Sequence, residues 1–306
     1  MTTITYSQPT DVYDLDNWYN ANTYLSFASS TGFQLTDGYH TLNYTGYSFT
    51  YNTSGVSGGT LTGLSWSSGG QPVFSVTGIN TNYNTLLKYA LAGDDVAIGA
   101  LVLKGNDTFI GSNGNDDFYG YNGSDTYNGN GGIDTVWYDT GKNSLVVTAT
   151  ATGYKVITPG KIDTLTNIER LEFGDGSSLA LDVGAGQNAG SAYRLYQAAF
   201  DRKPDTDGLN YWIAEMDNGQ NIGQIAQSFV DSNEFKALNP GLDQNSIINS
   251  YYLHVLHRDA DAAGFQYWNT QMANGMKANE VLVSFSESQE NLTNTKAALD
   301  GGIWLS

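Results

Sequence analysis

A nine-residue period runs through the middle of this chain. Gly105, Gly114, Gly123 and Gly132 are each followed two residues later by Asp107, Asp116, Asp125 and Asp134, and two residues after that by Phe109, Phe118, Tyr127 and Val136. Gly111, Gly120 and Gly129 add another column in phase. Columns that hold over four rows without slipping predict a solenoid, each row supplying one tight turn and one short strand with its aromatic or aliphatic residue in the core.

The polar columns point to a hard cation. Calcium takes six to eight oxygen ligands in a flexible shell and accepts backbone carbonyls as well as carboxylates. Glycines, with Asn113 and Asn122 between them, permit the left-handed or tight backbone that turns carbonyls inward, and each aspartate closes its turn with a charged oxygen. Two rows complete one coil, so Asp107 is expected over Asp125 and Asp116 over Asp134, each pair clamping one ion. The expected ligand set is Gly105, Asp107, Gly111, Asn113, Gly114 and Asp116 with Gly120, Asn122, Gly123, Asp125, Gly129, Gly132 and Asp134. Asp95, in the earlier row Gly93-Asp94-Asp95 that is three residues out of phase, would give a third site with Asp116. The other reading of these columns is a metal-free solenoid whose aspartates only close turns.

The run resembles the RTX nonapeptide family, whose pattern is Gly-Gly-x-Gly-x-Asp-x-apolar-x, over about 35 residues. It departs from that pattern at the second glycine, replaced by Ser112, Tyr121 and Asn130. The resemblance implies a parallel β-roll holding Ca2+ between stacked turns. It also implies export of an unfolded chain by type I secretion machinery that reads an uncleaved C-terminal signal, for which residues 297–306 are the expected segment.

The rest of the composition agrees with an extracellular, calcium-dependent fold. Thirty-one acidic against 13 basic side chains give a net charge of −18, which disfavours nucleic acid and anionic lipid as partners and favours divalent cations. Cysteine is absent, so no disulfide can staple the chain. The first twenty residues lack the basic and apolar regions of a cleaved signal, and no apolar run reaches the roughly 18 residues of a membrane span.

On either side of the repeat the chain changes character. Residues 1–92 are rich in Thr, Ser, Tyr, Asn and Gly, with alternating stretches such as Tyr47–Tyr51 and Val73–Val76, and are expected to form an antiparallel β domain ending in a short helix near Tyr83–Leu91. Residues 93–183 are expected to hold the roll and its capping strands, and 184–190 a glycine-rich linker. Residues 191–296 carry a second repeat, with a 56-residue period: Arg202, Asp205, Gly208, Tyr211, Trp212 and Glu234 recur as Arg258, Asp261, Gly264, Tyr267, Trp268 and Glu290. Apolar residues at helical intervals predict two small helical units. Their pattern resembles a bacterial domain family of uncharacterised function, related in appearance to phycobilisome linker domains. The expected fold is mixed: a β domain, a short parallel β-roll with capping strands, and a helical two-repeat module.

Catalytic motifs are missing. The three histidines, His40, His254 and His257, make no His-Glu-x-x-His helix, which excludes the zinc proteases. His254 and His257 alone do not complete a metal site. Gly63-Leu-Ser-Trp-Ser67 breaks the Gly-x-Ser-x-Gly elbow at its last position. The expected function is that of a noncatalytic, secreted, calcium-binding structural protein whose partners are copies of itself, in a surface layer, filament or biofilm matrix. A monomeric glycan-binding adhesin that recognises cell-surface or matrix polysaccharide is the second expectation, and a glycan-active enzyme within residues 1–92 the third.

Overall fold

A computed structural model describes residues 1–9, 22–240 and 243–305; residues 10–21 of the expected β domain and Ser306 of the expected signal lie outside the described residues. The described chain forms two compact units, Met1–Ser177 and Ser178–Ser306.

Unit 1 begins with β1 (Thr3–Tyr6), followed by a meander of β2 (Tyr24–Ser29), β3 (Gly32–Thr36), β4 (His40–Asn52), β5 (Gly55–Ser68) and β6 (Gln71–Asn82), each paired antiparallel with the next. Strict alternation puts Phe33, Leu42, Tyr44 and Val76 on one buried face. Phe33 stacks on Tyr44 at 4.5 Å and meets Phe49 and Tyr83 edge-on. Helix α1 (Tyr83–Ala92) starts at the Asn82 cap and stops at Gly93, which takes the left-handed conformation.

Helix α2 (Asp95–Val102) follows, capped by the Asp94 side chain on the Ala97 N–H. This corrects the expectation for Asp95. The row Gly93-Asp94-Asp95 does not begin the solenoid, because Asp94 is spent on a helix cap and Asp95 sits exposed in the first helical turn.

The nine-residue rows form β7 (Thr108–Ile110), β8 (Asp117–Tyr119), β9 (Thr126–Asn128) and β10 (Thr135–Tyr138). Thr108 pairs with Thr126 and Asp117 with Thr135, both in parallel, so alternate rows stack with an offset of eighteen residues. Phe109, Phe118, Tyr127 and Val136 fill the space between the two stacks. Then come β11 (Val146–Ala149), β12 (Tyr154–Thr158), β13 (Lys161–Thr166) and β14 (Arg170–Phe173). β13 adds in parallel to β9, and β14 to β10.

The sheet does not break where the β domain was expected to end. β1 pairs antiparallel with β6 on one side and parallel with β7 on the other, Thr3 opposite Thr108. One 11-stranded sheet, in the order β11-β12-β13-β9-β7-β1-β6-β5-β4-β3-β2, therefore includes both the meander and one stack of the roll. β1 covers the first row of that stack, whose edge would otherwise be open.

Unit 2 opens with β15 (Ser178–Ala180), which pairs with β16 (Ile303–Trp304). Between them lie α3 (Asn188–Phe200), α4 (Thr206–Asp217), α5 (Ile222–Asp231) and α6 (Asn233–Leu238), repeated 56 residues on as α7 (Gln244–Leu256), α8 (Ala262–Ala273), α9 (Ala278–Ser286) and α10 (Gln289–Leu299). Asp205 and Asp261 cap α4 and α8 through the Gly208 and Gly264 N–H groups, 2.8 Å each. Trp212 and Trp268 turn inward onto Phe229 and Phe285. Of the expected linker 184–190, residues 184–187 are exposed and 188–190 already belong to α3, and Arg194 donates to the carbonyls of Val183 and Gly184.

Candidate calcium sites

Two ladders of carboxylates run along the flanks of the roll. On one flank the Thr2 N–H donates to Asp107 Oδ1 (2.5 Å), the Asp107 N–H to Asp125 Oδ1 (2.8 Å) and the Asp125 N–H to Asp163 Oδ1 (2.8 Å). On the other, the Asp116 N–H donates to Asp134 Oδ1 (2.9 Å) and the Asp134 N–H to Glu169 Oε2 (2.9 Å). Each carboxylate thus holds the turn one coil above it. The expected stacking of Asp107 with Asp125 and of Asp116 with Asp134 is present on both flanks.

One oxygen of each pair serves the ladder; the other points into its own turn. A Cβ on Gly129 would lie 2.1 Å from Asp134 Oδ2, one on Gly120 2.4 Å from Asp125 Oδ2, and one on Gly111 3.0 Å from Asp116 Oδ2. These glycines are required for space, not for dihedral freedom. Left-handed backbone occurs at Tyr121 (φ 58°) and Asn130 (φ 68°), the positions where the nonapeptide pattern has its second glycine. Asn113 and Asn122, expected to supply that conformation, are exposed turn residues with ordinary φ. Gly114 and Gly132 meet Pro9 and the Gly114 backbone respectively, and Gly123 covers the Gly105 carbonyl.

The electrostatics are those of a site built for a cation. All four repeat aspartates are buried. Oδ2 of Asp107 and of Asp134 are buried with no hydrogen-bond partner, which costs several times what a paired carboxylate does. Burial pushes Asp125 up to about 7, reinforced by the charges of Asp163 and Asp107 against the opposing hydrogen bond of the Asp107 backbone. Asp134 is pushed up to about 8, again chiefly by burial, with Glu169, Asp116 and Asp117 adding to it. Among the described residues no three acidic or imidazole side chains converge on one point. A shell here is therefore completed by backbone carbonyls, which calcium accepts and zinc does not favour. Stacked carboxylates, with Oδ2 of Asp107 and of Asp134 still without a donor, fit Ca2+.

Sequence reasoning missed Asp163 and Glu169, which continue the two ladders beyond the repeat. Their signal was present: Asp163-x-Leu165 and Glu169-x-Leu171 keep the acid–x–apolar spacing of the rows, displaced by the hairpin between them. The histidines stay apart from any such site. His254 lies beside Ser250 and Asp201, and His257 ends α7 in the left-handed conformation.

This geometry defines a calcium-binding β-roll. In comparisons with known families, residues 104–136 match the RTX calcium-binding nonapeptide repeat (4 copies), and residues 185–239 and 226–295 match a domain of unknown function (DUF4214). RTX nonapeptide repeats bind calcium ions, and the proteins that carry them are typically secreted. Among solved structures, the extracellular lipase LipA from Serratia marcescens is 22% identical over 22% of this chain and 13% of its own, with a TM-score of 0.15. The chain thus spans about an eighth of that lipase, and the likeness carries no weight for its fold or activity. No curated protein matches the chain. No helix among the described residues is long and apolar enough to cross a membrane.

Proposed function

We propose that this chain is a noncatalytic extracellular protein that leaves the cell by type I secretion, folds as calcium fills its ladders, and then assembles with copies of itself into a surface layer, filament or matrix. Calcium at the ladders supplies positive charge to carboxylates that burial otherwise leaves uncompensated. A site filled a hundredfold above its dissociation constant adds about 2.7 kcal/mol to folding.

The assembly step is supported by one observation. β2 ends the 11-stranded sheet, with β3 on one side only among the described residues, and Tyr24, Leu25 and Phe27 on it are exposed. An edge strand offers a row of N–H and C=O groups that another strand satisfies. The opposite end of the sheet, β11, exposes Val146. Unlike edges meeting head to tail grow into an open filament, not a closed dimer. Light scattering and electron microscopy of the full chain with calcium and with chelator test this reading: calcium-dependent particles are expected, and a monomer in both conditions rules assembly out.

A second reading has its own observation. Tyr211 and Tyr267, each 55% exposed, stand edge-on to Trp212 and Trp268 in the two helical copies, which suits a pair of sugar-stacking platforms. Retention of monomer on a polysaccharide column, lost in Tyr211→Ala/Tyr267→Ala, would favour this adhesin. We also propose, as a separate reading, that the helical copies are related in appearance to phycobilisome linker domains.

A further inference from the structure

The two ladders end differently, and the difference assigns one more ion. On the flank of Asp107 and Asp125, the last gap lies between the turn 120–125 and the turn before Asp163. There Lys161 Nζ donates to the Tyr121 carbonyl (3.0 Å) and to Asn122 Oδ1 (3.3 Å). The Tyr127 hydroxyl donates to Asp125 Oδ2 (3.4 Å) and the Tyr138 hydroxyl to Asp163 Oδ2 (3.0 Å). An ammonium and two hydroxyls belonging to the chain already occupy the oxygens that a metal would need.

On the flank of Asp116 and Asp134, no ammonium or hydroxyl among the described residues donates to Asp134 Oδ2 in the last gap. Asp134 is fully buried, and its Oδ2 is without a partner. That oxygen and the Asn167 carbonyl oxygen each lie 2.1 Å from the point where a Gly129 Cβ would stand. They are therefore within about 4 Å of one another, a separation that one calcium ion at roughly 2.4 Å from each oxygen spans. One coil above, the Gly129 carbonyl and Asp116 Oδ2 also flank Gly111, but there the Ser112 N–H and hydroxyl donate to Asp116 Oδ2 at 2.6 and 2.9 Å, whereas Asp134 Oδ2 has no donor. Glu169 takes the place of the next aspartate, accepting the Asp134 N–H. Asn167 holds φ at 51°, so this turn of the cap adopts the left-handed backbone seen at Asn130 in the repeat.

We propose that the gap between the turn 129–134 and Asn167–Glu169 is a third calcium site, completed by residues outside the nonapeptide repeat, and that Lys161 makes the matching gap on the other flank metal-free. The proposal rests on the reading of the ladders as calcium sites. It makes the holoprotein asymmetric: one ion on the flank of Asp107, two on the flank of Asp134.

Native mass spectrometry of the full, calcium-loaded chain counts the ions. Three per chain are expected, falling to two in Glu169→Gln, since glutamine can still accept the Asp134 N–H but carries no charge. A wild-type chain that binds none overturns the calcium reading together with this site. A count that Glu169→Gln leaves unchanged overturns the third site alone and leaves that reading intact. If the variant does not fold, anomalous scattering from wild-type crystals grown with terbium decides instead. A peak beside Asp134 and Asn167, with none beside Lys161 Nζ, is expected; peaks confined to the repeat, or one at Lys161, refute the assignment.

Discussion

Both units of this chain are built on internal repetition, and both fix carboxylates at set positions in every copy, but they neutralise them from different sources. In the helical unit each motif supplies its own cation: Arg202 binds Glu234 through Nε at 2.8 Å and reaches Asp205, and Arg258 does the same with Glu290 and Asp261. The Tyr196 hydroxyl and the Gly208 N–H, ahead of Arg202, hold Asp205 down at about 2, the Gly264 N–H ahead of Arg258 lowers Asp261, and Arg258 lowers Glu290. In the roll the carboxylates are buried against one another, and Asp125 and Asp134 are driven the opposite way. One unit is complete as synthesised; the other waits for an ion from the medium. On the proposed route of export as an unfolded chain, that division would let the surroundings decide when the roll forms.

The largest expected effect of this contrast is on calcium removal. With the three ladder sites each filled a hundredfold above its dissociation constant, chelation takes away about 8 kcal/mol, a large part of the stability of a domain this size. Hydrogen exchange on the full chain should show amides of β7 to β10 losing protection in chelator while those of α3 to α10 keep theirs. Equal loss in both units would erase the distinction drawn here.

Next comes pH in chelator, which should act on the two units with opposite sign and in different ranges. Asp125 and Asp134 have folded values of about 7 and about 8, above the ordinary 3.8, so the stability linked to their protons is fully present below about pH 4. It is lost as pH rises through 7 and 8. Asp205 lies below its ordinary value, so its contribution is present above about pH 4 and is lost as pH falls towards 2. Calcium-free melts from pH 4 to pH 8.5 should therefore lower the transition of the roll and leave that of the helices in place, and calcium should abolish the slope. A roll that strengthens with rising pH in chelator contradicts the electrostatics of the ladders.

How much of this was legible in the sequence follows from the range of each interaction. The eighteen-residue stacking of Asp107 on Asp125 and the two helical copies could be read directly, because a period shows every column several times. Helix α1 could be read from local spacing and its Gly93 stop. The pairing of β1 with β7 could not, since Thr3 and Thr108 are brought together by the whole intervening meander and neither carries a motif. Asp95 misled because Gly-x-Asp is also how a helix cap begins. Lys161 and Glu169 lie outside the repeat, and only the fold shows that an ammonium enters the last gap of one flank while both ladders end on carboxylates, Asp163 and Glu169.

Within the helical unit, Arg194 is the exception that tests the rule of self-supplied cations. It is 1% exposed, binds both oxygens of Glu287 at 2.8 Å, and satisfies the Val183 and Gly184 carbonyls, with no counterpart at Ser250 in the second copy. Removing one partner of a buried pair strands the other, which typically costs about 3 kcal/mol or more. Arg194→Ala should lower the unfolding free energy of the helical transition, read from its denaturant melt, by that amount and leave calcium binding by the roll untouched. A loss under 1 kcal/mol would mean that Glu287 finds water instead.

The smallest effect is expected at the repeated arginines, and its size is informative because the two copies match so closely. Arg202 and Arg258 sit over the rings of Tyr196 and Tyr252 at 5.0 and 4.9 Å, and their side chains are 40% and 41% exposed. Exposed pairs of this kind contribute only about 0.5 kcal/mol each, with the stacking adding a similar amount. Arg202→Ala and Arg258→Ala should therefore each cost about 1 kcal/mol, alike to within the error of a chemical melt, and half of that should disappear in 1 M salt, where exposed charges are screened. A large loss confined to one copy would show that the 56-residue repeat has been put to unequal use. In that case the costlier arginine marks the copy whose surface does more than hold its own helices together.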